Sequence, residues 1–436
     1  MDKQTLGGFL LFVLACICLA FLAGIFAAIF QVFPYPPIQK VVSQVQSTMV
    51  DNGKGDQHFL YKTRNDDIGV TVFNESLVQP GVTLVTGMWN EDGTWQPEAR
   101  LMGFQGQVLH RWQVFPQQIW PESPHDDWVK DASNTSSRYL HGIVLLDNGD
   151  IIFNIEYLGM VRMNACGDVL WKVPLRLHHS VFEDDDGNFW AAGLHWREEA
   201  IADYAHLKPP FAEETLVKVS PEGEVLREIS ILDALYRSGY HGTMANSRKK
   251  MDITHMNDVE VLSADIAAQY PDFNAGDILV SLRNINMVVV VDGETEEVKW
   301  HFSHPLIHQH DPDFESDGKV VIFDNNDDTT RDGSLWGQTR LLRVDPTTKN
   351  YEQLYPLSDE QDFYTQEGGK HQVLDNGNRL ITEANAGRVL EVTATGELVW
   401  NWVIESREGD YLPEVLEGTR YPASATDFIA AISCSN

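Results

Sequence analysis

Two hydrophobic patterns divide the chain. Residues 7–30 are an unbroken apolar run, GGFLLFVLACICLAFLAGIFAAIF, without a charge. At about 1.5 Å per residue, a helix of that length crosses the hydrocarbon core of a bilayer. From about Gly81 onward the pattern changes to short β-forming runs separated by Asn-Gly, Asp-Gly and Gly-Glu turns. The unit repeats: a strand, a turn glycine, a second strand, another turn, then a strand that often ends in Trp. The clearest copies are HGIVLLDNGDIIFNIEYLGMVRMNACGDVLW and GKHQVLDNGNRLITEANAGRVLEVTATGELVW.

Six copies can be traced, ending near Trp112, Trp171, Arg227, Trp300, Tyr351 and Trp400. A period of about 50–70 residues with four short strands per unit is the pattern of propeller blades. One such sheet cannot bury both faces, and a closed ring of them can. The predicted fold is therefore all-β, a six-bladed β-propeller preceded by an N-terminal transmembrane helix. The expected organisation is a short cytoplasmic N-terminus at 1–6, a signal anchor at 7–30, a linker or stalk at 31–66, the propeller at 67–425 and a tail at 426–436. The apolar run is longer than the core of a cleavable signal peptide, and Pro34, Pro36 and Pro37 follow it. An uncleaved anchor, with the large C-terminal part outside the cytoplasm, is the expectation. The blade-end tryptophans are read as wedges between blades. RYPASATDFIAAI, near the end, is a candidate for a strand that completes the first blade. Helical interruptions are expected at 231–236 and 263–270.

The first strand of each blade lines the central channel, so equivalent positions share one axis. His141 precedes its turn glycine, Gly149, by eight residues, as His179 precedes Gly187 and His310 precedes Gly318. His255 opens its own copy at the same place, and Gly369, Lys370 and His371 occupy that region of the last blade. A lone histidine beside a strand is ordinarily structural. Several in register point to a site at one mouth of the ring, with His310, rather than His308, as the residue set for chemistry.

Arg283, in SLRN, joins these histidines. A cluster of imidazoles and a guanidinium suits a tetrahedral oxyanion better than a metal cation. No CxxC or zinc spacing occurs, and Asp184-Asp185-Asp186-Gly187-Asn188 is read as a hairpin turn, not a calcium loop. Neither a metal nor a cofactor is expected. A neutral histidine can be the nucleophile, and adjacent cations keep it neutral by raising the cost of its protonation. Such a site can transfer phosphoryl or sulfuryl groups. The formal net charge of -32 argues against nucleic acid as a partner. Of the four cysteines, Cys16 and Cys18 lie in the apolar run, while the pairing of Cys166 with Cys434 is left open.

The ordered motifs His255-Met256-Asn257, Ser281-Leu282-Arg283, Gln309-His310 and Phe323-Asp324-Asn325 resemble those of the bacterial arylsulfotransferases, as do the LDNGN and GELVW turns. The resemblance runs over about residues 66–425. It implies a six-bladed propeller that moves a sulfuryl group from an aryl sulfate ester to a phenolic acceptor. Transfer would be ping-pong through a sulfohistidine, without 3′-phosphoadenosine 5′-phosphosulfate. Carried onto this chain, His310 is the nucleophile, and His255 and Arg283 bind and polarise the sulfuryl oxygens. His179, or else His178, exchanges the phenolic proton. Asn257 bonds to substrate or orients His255, and His371 is a further substrate-binding candidate. The chain departs from the family pattern in its anchor and short stalk and in the long insertion between Asn257 and Arg283. Two other readings compete: a non-catalytic, membrane-anchored propeller that binds a protein or glycan partner, and a quinoprotein-type dehydrogenase, which calls for more blades and a metal.

Overall fold

The computed structural model describes residues 3–30 and 59–434, apart from 65, 126–139, 205, 248 and 331. Most of the stalk expected over 31–66 lies outside the described residues. The chain divides into two units, Met1–His58 and Phe59–Asn436. In the first, Lys3–Phe30 is one α-helix, and its Gly7–Phe26 stretch is long and apolar enough to cross a membrane.

The second unit is a six-bladed β-propeller. Blades two to five are contiguous four-stranded antiparallel sheets. Their innermost strands are Leu140–Leu145, Arg176–Glu183, Met256–Val261 and His310–Phe314. Blade one takes its inner strand, Val415–Tyr421, from the far end of the chain and pairs it with Val82–Glu91. Blade six begins with the inner strand Lys370–Val373 and gains a fifth, outer strand, Gly69–Phe73, from the start of the unit. The ring is thus closed by strands from both ends of the unit. Of the segment expected to complete blade one, only Arg420 and Tyr421 are in the closing strand. The rest forms short helical turns at Ala423–Thr426 and Asp427–Ala431, where Pro422 removes a ladder donor. The expected interruptions are an α-helix at Ile231–Arg237 and a 3₁₀ turn at Ala267–Gln269.

The repeat tryptophans explain how neighbouring blades interlock. Trp171 donates its indole N–H to the Pro221 carbonyl of blade three at 2.8 Å. Trp300 reaches Pro346 of blade five at 2.8 Å, and Trp400 reaches Phe104 of blade one at 2.9 Å. Each ring thereby covers the next blade's turn and satisfies its own polar atom. The fit leaves little space: a Cβ on Gly223 would stand 2.8 Å from the Trp171 ring. In blade one the equivalent position, His110, reaches the Ala165 carbonyl at 2.8 Å.

Cys166 and Cys434 form a disulfide with Cα atoms 5.4 Å apart. It fastens the chain end, just beyond the closing strand, to a turn of blade two. A cross-link spanning 268 residues restricts the unfolded chain strongly. Cys434→Ser is expected to lower unfolding free energy by about 2–4 kcal/mol. The check is the denaturant midpoint with and without reductant, which should converge for the variant and differ for the native chain.

Candidate functional site

The inner strands open with a backbone irregularity. Register slips occur between His141 and Ile143, His178 and Val181, Met256 and Asp258, and His310 and Pro312. Each slip is a bulge that re-aims the side chains at the channel mouth. His179, His255 and Asp311 have φ of 55°, 48° and 44°, the left-handed region that side chains rarely adopt. Blade two uses glycine there. Gly142 has φ 71°, and a Cβ on it would stand 2.3 Å from the His179 carbonyl oxygen. Strain of this kind persists only where surrounding structure holds it, and it concentrates at functional sites.

These bulges bring the in-register histidines together. The rings of His141 and His179 are 4.2 Å apart, and those of His179 and His255 are 5.0 Å apart. His178 lies behind them, its Nδ1 2.7 Å from that of His179 and its Nε2 3.7 Å from Glu214. His179 thus touches both His141 and His255, and His178 packs against His179. Arg283 follows the second strand of blade four, and its backbone N–H donates to the His255 carbonyl at 3.0 Å. Its guanidinium is 3.7 Å from the Glu367 carboxylate.

His310 is held in a defined tautomer. The Asn325 amide nitrogen donates to the Thr365 and Gly368 carbonyls at 3.1 and 2.7 Å. Asn325 Oδ1 is therefore the group that faces His310 Nδ1, at 2.7 Å, and Nδ1 carries the proton. Nε2 keeps its lone pair and accepts the Gly368 N–H at 3.2 Å. The peptide before it is clamped from blade four. Asn257 Nδ2 and Ser281 Oγ both donate to the Gln309 carbonyl, at 2.9 and 3.2 Å. Asn257 therefore binds the backbone beside His310, and the motifs H-x-N and S-x-R converge on one carbonyl.

Burial, and then the Arg283 charge, hold His310 well below the usual histidine range. The same two causes lower His255, against the pull of Asp252, whose Oδ2 lies 2.6 Å from His255 Nδ1. Burial, and then His141, hold His179 well below its range. Burial raises Glu214 to about 8, and Asp252 adds to the rise. The cluster is thus neutral imidazole beside one fixed guanidinium. His255 Nε2, Arg283 Nε and Asn257 Oδ1 are buried with no hydrogen-bond partner. Buried polar atoms are nearly always satisfied, so these mark where a polar ligand belongs.

The low values have a stability consequence. Burial pushes His178 down to about 3. A base with a depressed folded value contributes stability that is complete above its unfolded value, about 6.5, and is lost as pH falls toward the folded one. Unfolding free energy is expected to fall by a few kcal/mol between pH ~6.5 and ~3. His178→Asn should flatten that slope in pH-resolved thermal denaturation.

Asp252, Glu214 and Gly368 were missed by sequence reasoning. Asp252 stands three residues before His255 in DITH, a spacing that could have suggested a carboxylate–imidazole pair. Asn325 was noticed only as part of a motif. His371, a substrate-binding candidate in the sequence, has its Nδ1 3.0 Å from Asp313 and 3.8 Å from Asp311. His308 is half-exposed and faces Asp327 at 2.9 Å. Two groups among the described residues could hold a metal, His141, Glu156 and His179, and Asp311, Asp313 and His371.

Among solved structures, the chain is similar to a protein of unknown function from Bacteroides caccae, with 11% identity over 76% of this chain and 97% of that one and a TM-score of 0.49. It is also similar to virginiamycin B lyase from Staphylococcus aureus, with 11% identity over 62% of this chain and 71% of that one and a TM-score of 0.37. A chain of the nidogen/laminin complex matches at 7% identity over 79% of this chain and 99% of that one, with a TM-score of 0.43. No curated protein matches. The arylsulfotransferase (ASST) family matches residues 142–406, which take in His178, His179, His255, Arg283 and His310. That span is more than half of the 436 residues, and the chain belongs to the arylsulfotransferase family.

Proposed function

We propose that this protein transfers a sulfuryl group from an aryl sulfate to a phenol, in two half-reactions through His310 and without a nucleotide donor. The observation that carries this reading is the His310 tautomer, with its Nε2 lone pair free of a proton, beside the unpartnered polar atoms of Arg283, His255 and Asn257. In the first half-reaction His310 Nε2 attacks sulfur and the sulfur–oxygen bond to the aryl group breaks. The departing phenolate takes a proton that His255 or His179, neutral at rest, draws from solvent and hands on. Arg283 and the Gly368 N–H, which faces Nε2 in the resting site, stabilise charge on the sulfuryl oxygens. In the second half-reaction an acceptor phenol gives its proton to the same imidazole and attacks sulfur, and the sulfur–nitrogen bond breaks. Asp252 orients His255 and stabilises its protonated form.

The same reading places the helix Lys3–Phe30 as an uncleaved anchor, with the propeller on the extracytoplasmic side. The Cys166–Cys434 disulfide supports an oxidising compartment. The test is release of a chromogenic phenol from its sulfate ester in the presence of a second phenol. Protein quenched in alkaline denaturant, in which an N-sulfoimidazole survives, should carry label from radioactive donor on the peptide containing His310. Absence of turnover, or label on any other peptide, would sink the proposal.

A further inference from the structure

A second cluster of titratable groups lies deeper in the channel and takes no part in the chemistry above. Asp311 and Asp313 belong to the inner strand of blade five, and His371 to that of blade six. Asp313 is three residues beyond His310 but, because of the bulge at Asp311, only two ladder steps away, about 7 Å along the strand toward the opposite mouth. His371 Nδ1 is 3.0 Å from Asp313 Oδ2 and 3.8 Å from Asp311 Oδ2. Neither ring nitrogen of His371 has a hydrogen-bond partner, although its side chain is only 1% exposed. The ligand atoms of the three residues lie within 4.8 Å of one another.

Charge around them is unbalanced. Asp258 and Glu260 face the same space from blade four, and both act electrostatically on Asp313 or are acted on by it. The nearby cation, Lys370, is already 3.1 Å from Glu417. Several buried carboxylates with one engaged lysine are costly as anions, and a cation among them would offset that cost.

From this geometry we infer that Asp311, Asp313 and His371 form a site for one divalent transition-metal cation, which ties the inner strands of blades five and six together on the propeller axis. An imidazole beside two carboxylates selects zinc- or manganese-type ions over calcium and magnesium, which take oxygen ligands. The cation would stand one strand segment below His310 and would brace the strand that presents it. Its role is structural, because Asp311 and Asp313 reach from blade five to blade six, where the His371 backbone N–H already donates to Asp311 Oδ2 and the His371 ring faces Asp313.

The test uses the full chain in detergent, stripped with a chelator and titrated with Mn²⁺ or Zn²⁺ by calorimetry, with Ca²⁺ as control. One equivalent of Mn²⁺ or Zn²⁺ should bind and raise Tm by about 3 °C or more at saturation. Asp313→Asn and His371→Ala should each weaken binding at least tenfold, whereas His141→Ala, in the other candidate metal group, should leave it intact. In case a variant fails to fold, the native chain carries its own check: the Mn²⁺ electron-spin spectrum should show coupling to one imidazole nitrogen. Failure to take up either ion, equal uptake by the Asp313 and His371 variants, loss of uptake only in His141→Ala, or a Mn²⁺ spectrum without nitrogen coupling would each overturn the inference.

Discussion

His310→Ala is expected to abolish turnover, with kcat/KM falling by about 10⁴-fold or more. The size follows from the role assigned to Nε2: without it no covalent intermediate can form, and only binding by Arg283 and its neighbours remains. Asn325→Ala separates chemistry from positioning. It removes the acceptor that holds the Nδ1 proton, 2.7 Å from the ring, and leaves the nucleophile in place. Misplacing the ring in this way costs about 10²-fold, with KM little changed. Steady-state kinetics on an aryl sulfate, with rapid-quench detection of labelled His310, provide both readings. If His310→Ala keeps native kcat/KM, the histidine is structural and the proposed nucleophile is wrong.

Arg283→Ala should lower kcat by about 10²–10³-fold, the usual effect of removing one preorganised donor to a developing oxyanion. It should also move the pH profile, and the sign can be worked out. Burial is the first cause of the low His310 value and Arg283 the second. The neutral imidazole is the reactive form, so the native acid limb lies below pH ~6.5. Removing the guanidinium lets the imidazole protonate more easily, and the limb shifts upward while burial still keeps it below ~6.5. Arg283→Lys should restore much of the pH profile and little of kcat, since a point charge replaces the charge but not the planar fork. An unmoved acid limb in Arg283→Ala would show that the guanidinium does not act on the nucleophile.

The blades were legible because tight turns need glycine at set positions and fourth strands end in a large ring. The turn glycines Gly149, Gly187 and Gly318 therefore served as rulers for His141, His179 and His310, although in blade three the bulge takes two residues and the ladder pairs His178, not His179, with Ala192. His141 and His179 are in ring contact, and His255, for which the insertion left no count, touches His179. Where the count lacked a ruler it said less. His371 sits two residues past the in-register Gly369, and that offset points it along the channel at Asp313. The partners that set protonation were not legible either. Asn325 and Gly368 reach His310 from separate loops of blades five and six, and no local spacing encodes that meeting.

What the sequence determined by itself is the repeat and the apolar helix, because each depends on neighbours along the chain. What only the tertiary structure decided is ring closure by Val415–Tyr421 and Gly69–Phe73, the contact of His179 with both His141 and His255, and the tautomer of His310. These depend on contacts between residues tens to hundreds of positions apart. The energy of such contacts lies in burial and hydrogen bonding across blades, which the order of residues alone does not reveal.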